Sequence, residues 1–291
     1  MRAIISVLRE QARRDFFERQ SNAIKPHLAE NLGQLSMSKL EAPPANQIIE
    51  YSNFASVVTG EGDWMPAGFP LPDGGFWQYR EPDAVVIVQD GFLRVAAVPY
   101  TRGHDTIQFL DNAKHMYFST RTFECPAGGT ITFSIDLAAT IIKGAPGDLY
   151  DGFVSFNVLD FSTGAALDFF VGNETIATVY GKLPFPGVPI VDPARGPRHF
   201  CLFEENRNSS KPGQLHHFEI VYDSAHDQVT FSADGKQLRQ YSDVPFKLGP
   251  CTLALGLMSE KDIAPDKGSV SCHGQGAVGK WGNIKIATTS P

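Results

Sequence analysis

Two aspartates, Asp136 and Asp168, stand on alternating segments whose outward neighbours are small, polar or aromatic. A carboxyl group among apolar neighbours is partly desolvated, and can orient a hydroxyl or serve as a base. A second group is His115, Tyr117 and Arg121, whose spacing puts them on one face of a strand. His and Tyr placed that way could act as base and acid in a proton abstraction. The same pattern also suits a solvated strand face. Arg198-His199 and Glu204-Glu205-Asn206-Arg207 fall in a long segment, Pro184 to Gly213, that could cap a groove and supply polar groups. Cys272-His273 lies among glycines that allow close backbone approach, the material of a thiol nucleophile and its base. His216-His217 is no metal pair, because neighbours on a strand point to opposite faces.

These residues are positioned by strands. From His216 to Met258 the chain alternates and its turns are explicit. Asp234-Gly235 and Asp90-Gly91 are two-residue hairpin signals, since both central positions of a type I′ turn need positive φ. Further strands are expected at 85–89, 92–98, 107–110, 116–124, 130–138, 153–161, 166–171 and 175–183, with 281–286 closing the sheet. The long 184–213 segment is expected to be irregular. Alternation assigns Val154, Phe156, Val158, Leu167, Phe169, Val171, Ala177 and Val179 to the core. It leaves Phe153, Asn157, Asp168, Phe170, Tyr180 and Asp136 on the other face, with small residues at Ala254 and Gly256. That face carries no Lys, Arg or Glu, which suits a ligand groove better than a solvated surface. The competing expectation is a face covered by the N-terminal segment or by the 184–213 loop. The candidate contacts are therefore Asp168, Asp136, His115 and Tyr117 for chemistry. Trp77, Phe153, Asn157, Phe170, Tyr180 and His199 are the candidates for binding, Trp77 coming from an aromatic Gly/Pro-rich loop at 60–79.

Three segments carry a resemblance: His216-His217-Phe218-Glu219-Ile220-Val221-Tyr222-Asp223, Asp234-Gly235, and Leu253-Ala254-Leu255-Gly256-Leu257. In this order the chain resembles the C-terminal half of the concanavalin A-like lectin and glucanase jelly rolls, over roughly Tyr51 to Ile286. The resemblance implies an all-β, two-sheet jelly roll. As a whole the chain resembles a functionally uncharacterised bacterial family of that fold. Glycosidases of the superfamily commonly carry a Glu-x-Asp-x-Glu strand, which places two carboxylates on one face. No such strand occurs here, so the resemblance carries over no catalytic residue. Its alginate lyases use a Gln-x-His strand, and the nearest material here is His104, Gln108 and His115. A calcium ion often joins the chain ends in this superfamily. Gly60-Glu61-Gly62-Asp63 and Asn283 could offer oxygens for a structural calcium, far short of six ligands. No other cofactor or metal is expected.

The chain has 291 residues and a formal net charge of −7, with no Lys/Arg block beyond its start, which argues against a nucleic-acid partner. No apolar run reaches membrane-spanning length. Residues 1 to about 33 carry Ile5, Leu8, Ala12 and Phe16 at helical spacing. The expected organisation is a helical segment and linker over 1–46 and a sandwich domain over 47–291. The helix would pack on its own domain or on a second copy as a homodimer. The start lacks the features of a signal peptide, and the four cysteines show no C-x-x-C spacing, so a cytoplasmic protein with free thiols is expected. Three functions fit. The chain could bind a glycan or other small ligand. It could be a carbohydrate-active hydrolase or lyase with non-standard residues. It could be a cytoplasmic, cofactor-free cyclase or isomerase that shapes an apolar substrate.

Overall fold

The computed structural model describes residues 46–291, apart from 60–61, 72–73, 184, 186–187, 189–198, 245 and 265. The expected helical segment and most of its linker lie outside the described residues. Strands are numbered in chain order. The first six are β1 (Gln47–Glu50), β2 (Trp64–Pro66), β3 (Gly68–Pro70), β4 (Phe76–Gln78), β5 (Val85–Gln89) and β6 (Phe92–Ala97). Next come β7 (Ala113–Phe123), β8 (Thr130–Ile142), β9 (Phe153–Asp160), β10 (Ala165–Val171), β11 (Thr175–Lys182) and β12 (Phe200–Arg207). The last five are β13 (Leu215–Asp223), β14 (Gln228–Ala233), β15 (Lys236–Tyr241), β16 (Cys251–Met258) and β17 (Gly276–Thr289). Two short helices, α1 (Ala55–Thr59) and α2 (Gln108–Asn112), interrupt them.

The described strands form two large antiparallel sheets and one small hairpin. The first sheet runs β15-β14-β13-β8-β17-β6-β5, with β1 added beside β17; the second runs β12-β11-β10-β9-β16-β7-β2. β3 and β4 pair alone. This is the jelly-roll sandwich, and its closing strand is longer than the expected 281–286. The two expected type I′ turns form, with positive φ at Asp90-Gly91 and Asp234-Gly235. Two expectations are corrected. Residues 108–112 are helical rather than extended. The 184–213 excursion contains β12, which pairs with β11 over its whole length as the edge of the second sheet.

The main core lies between the sheets. Val154, Phe156, Val158, Leu167 and Phe169 from the second sheet are fully buried against Phe133, Phe218, Ile220 and Phe231 from the first. Phe169 meets Phe218 and Phe231 at ring-centroid distances of 4.6 and 5.5 Å. Trp281 crosses the layers, its indole N–H donating to the Ser155 carbonyl at 3.0 Å. That bond supplies the acceptor a buried indole needs.

Phe156→Ala should lower stability by about 3–5 kcal/mol, through lost transfer energy and the cavity left behind; urea denaturation measures it, and a loss under about 1 kcal/mol would contradict the packing. Cys125, Cys201, Cys251 and Cys272 stand as separate thiols. Thiol titration of the denatured, unreduced protein should find all of them reactive.

Candidate functional site

Two hairpins set the outer face of the second sheet. In the first, the Asp160 carboxylate closes the β9–β10 turn. Oδ1 accepts from Ser162 N at 2.8 Å, Ser162 Oγ at 2.6 Å and Thr163 N at 3.2 Å; Oδ2 accepts from Thr163 Oγ1 and Gly249 N, both at 2.7 Å. Gly164 takes φ 84° there. The resulting register sets Asp168 opposite Asn157, Phe170 opposite Ser155 and Ala166 opposite Leu159. In the second, β11 pairs Val179 with Asp168 and Ala177 with Phe170. Directly paired residues of an antiparallel sheet share a face. Asn157, Asp168 and Val179 therefore form one row across three strands.

A cavity of about 170 Å³ opens over this row. Phe153, Phe170, Phe203, Leu159, Val179, Met116, Phe118 and Met258 form its walls. Phe69 arrives from β3, Phe109 and Gln108 from α2, and Leu183 and Phe185 from the chain after β11. Small residues at Ala166, Ala177, Ala254 and Gly256 lie on the same face of the sheet. At Gly256 a Cβ would sit 2.7 Å from Ser155 Oγ and 2.8 Å from Met116 Cε. Phe153 and Phe170 stack with centroids 4.1 Å apart.

Asp168 lies in the lining of the cavity. It is 4% exposed, and Oδ1 has no hydrogen-bond partner. Burial, and after it the charge of Glu260 in the same cavity, holds this carboxyl well above the usual carboxylate range; an N–H bond from Val158 opposes the shift. These surroundings disfavour the ionised form of the carboxyl. Asn157 spends its amide N–H groups on Ser155 Oγ at 2.9 Å and the Ala254 carbonyl at 3.1 Å.

Of the residues expected at the site, Asp168, Asn157, Phe153 and Phe170 line the cavity, and six lie elsewhere. Asp136 is on β8, in the other sheet, where it accepts from Asn283 Nδ2 at 2.6 Å and bonds His217 Nδ1 at 2.7 Å. Alternation along a strand assigns a face but not a sheet. Asn283 is thereby engaged with Asp136, and among the described residues no three His, Cys, Asp or Glu side chains converge on a metal-sized point. Tyr180 points between the sheets and stacks on Tyr241 of β15 at 4.4 Å. Its pairing with Leu167 reverses the expected faces of β11, so Val179, not Tyr180, faces the cavity. His115 and Tyr117 also point inward, paired with Leu257 and Leu255. Burial and then Arg80 lower the His115 pKa to about 4, and burial pushes Tyr117 up to about 12. The two bond each other at 3.0 Å, and His115 Nδ1 accepts from Glu81 N at 3.3 Å.

Trp77 lies under the Arg102 guanidinium, 4.1 Å from its ring centre, and against His104, outside the cavity lining. His199 is half-buried near Lys182 and lines no part of the cavity; burial and that lysine lower its pKa to about 4. His273 turns to Asp151, bonding Oδ1 at 2.7 Å, and the Cys272 thiol donates to the Arg102 carbonyl at 3.4 Å, so the two side chains serve different partners. Glu260, Phe109 and Phe203 were not expected at the site, and Gln108 was named only as the nearest material to a lyase strand. Phe203 sat in a segment read as loop, and Glu260 just beyond the end of a core strand.

The two-sheet architecture is that of a concanavalin A-like jelly roll. The chain belongs to DUF6081, a family of unknown function, whose pattern matches residues 51–290. No curated protein sequence matches it. Among solved structures, an endo-1,3-beta-glucanase from Streptomyces sioyaensis is similar at 14% identity and TM-score 0.51, over 87% of this chain and 100% of the other. A Bacillus licheniformis beta-glucanase is similar at 10% identity and TM-score 0.52, over 86% of this chain and 100% of the other. These likenesses are of fold.

The buried neutral His115 makes stability pH-dependent. Its folded pKa of about 4 lies below the unfolded value near 6.5, so the unfolded chain binds the proton more readily. Its contribution is whole above about pH 6.5 and is lost as pH falls towards 4, by roughly 3 kcal/mol in all. His115→Gln should flatten the stability profile between those limits relative to the natural protein. Urea midpoints at pH 7 and 4.5 give the comparison, and parallel profiles would exclude a neutral His115.

Proposed function

We propose that the protein binds a small, largely apolar molecule in the cavity on the outer face of the second sheet. The observation that carries this reading is an aromatic-walled cavity of about 170 Å³ with the buried Asp168 carboxyl in its lining. An engineered apolar cavity of about 150 Å³ accepts benzene, so an occupant on the scale of a substituted benzene fits. A polysaccharide chain asks for rows of polar groups along a trough. Sugar hydroxyls set against Phe and Met would lose water without replacement bonds, at roughly 1–3 kcal/mol each. The glucanase likeness is one of fold, and the occupant is decided by the lining. Separate thiols suit a reducing compartment, which supports a cytoplasmic setting for this binding.

Isothermal titration with isopropylbenzene tests the proposal. Saturable one-to-one binding is expected, with at least tenfold loss in Val179→Phe, which fills the cavity from its wall; the thermal midpoint of the variant serves as control. In affinity electrophoresis, laminarin and lichenan should leave mobility unchanged. Retardation by either glucan, together with no isopropylbenzene binding, would return the face to a glycan.

A further inference from the structure

The second inference rests on that reading and concerns which atom of the ligand is recognised. The cavity lining has several polar side chains, but the structure commits most of their donors elsewhere. Both amide N–H groups of Asn157 go to Ser155 and Ala254. Those of Gln108 go to Asn112 Oδ1 at 2.6 Å and the Lys261 carbonyl at 2.7 Å, while its Oε1 accepts from Ile263 N at 3.1 Å. The Tyr79 hydroxyl donates to the Phe109 carbonyl at 3.2 Å. Asp168 Oδ1 is left over, buried, unpartnered and in the row that floors the cavity. A buried polar atom without a partner is destabilising, and a ligand atom that meets it recovers that loss.

We propose that Asp168 donates a hydrogen bond from its carboxyl group to a carbonyl or ether oxygen of the bound molecule, making the ligand class an apolar ketone, aldehyde, ester or ether. The donor role follows from the surroundings. Among the described residues, the charged group that acts on this carboxyl is Glu260, of like charge. The titratable groups sharing the cavity are Glu260, Tyr79 and Cys201. An apolar wall with a like-charged neighbour favours the protonated acid, and a protonated acid offers a proton to an acceptor. An ammonium ligand would instead need the ionised form.

Three probes of one shape separate these cases: isopropylbenzene, acetophenone and 1-phenylethylamine. The readout is the affinity ratio of acetophenone to isopropylbenzene, which cancels the shared apolar contribution. This ratio should fall about tenfold from the natural protein to Asp168→Leu, the size of one buried hydrogen bond. Asp168→Asn, which keeps an N–H donor, should retain most of it. In the natural protein the ratio should decline as pH rises and the carboxyl loses its proton, while in Asp168→Asn it should stay level. Isopropylbenzene binding with a ratio that Asp168→Leu leaves within twofold would overturn this inference and leave the cavity reading standing. Preferred binding of 1-phenylethylamine, abolished in Asp168→Asn, would overturn it in favour of an ionised carboxylate. Binding of none of the three would sink both.

Discussion

The register between β9 and β10 is the constraint on which the site depends. One residue of slip would turn Asp168 and Phe170 into the core and bring Leu167 and Phe169 out to the surface. The Asp160 carboxylate opposes that slip. It takes five hydrogen bonds, four from the turn and one from Gly249 just before β16. A single fully buried side chain thus sets the hairpin and ties it towards the strand on its other side. The hydrophobic effect then holds the arrangement, because Phe156 and Phe169 reach the main core only in this register.

The cavity is a product of volume as much as of polarity. Ala166, Ala177, Ala254 and Gly256 withhold side-chain bulk beside the aromatic rings, and the rings stack on one another instead of filling the space. Ionising the Asp168 carboxyl is opposed by burial and by the like charge of Glu260. Burial of Oδ1 without a protein partner is destabilising. A fold built only for stability would place Leu or Met there.

Much of the scaffold was legible from alternation and turn chemistry. Phe153, Asn157, Asp168 and Phe170 could be assigned to one face because β9 and β10 are apolar on the other and their turn is short. Tyr180 was misplaced because β11 is apolar on both faces, and only its pairing with Leu167 decides the matter. Asp136 was placed at a groove because alternation does not report which sheet a strand joins, and His115 and Tyr117 could be read as a base–acid pair on an open strand face because it does not report which of two faces lies inside. Phe203 and Glu260 belong to segments whose place is set by tertiary contacts: β12 is recruited as an edge by β11, and Glu260 is held by its N–H bond to the Tyr150 carbonyl at 2.8 Å.

The alternation within β9, β10 and β16 has an evolutionary consequence. Alternate residues of these strands belong to the sandwich core, and Phe153, Asn157, Leu159, Asp168, Phe170 and Met258, lying between them, line the cavity. Substitutions at 153, 170 or 258 would change what the cavity admits while leaving Val154, Phe169 and Leu257 in place. Descendants of one ancestral scaffold can therefore diverge in ligand preference along interleaved, nearly independent sets of codons. Asp160 is the exception, since its loss would disturb both sets at once.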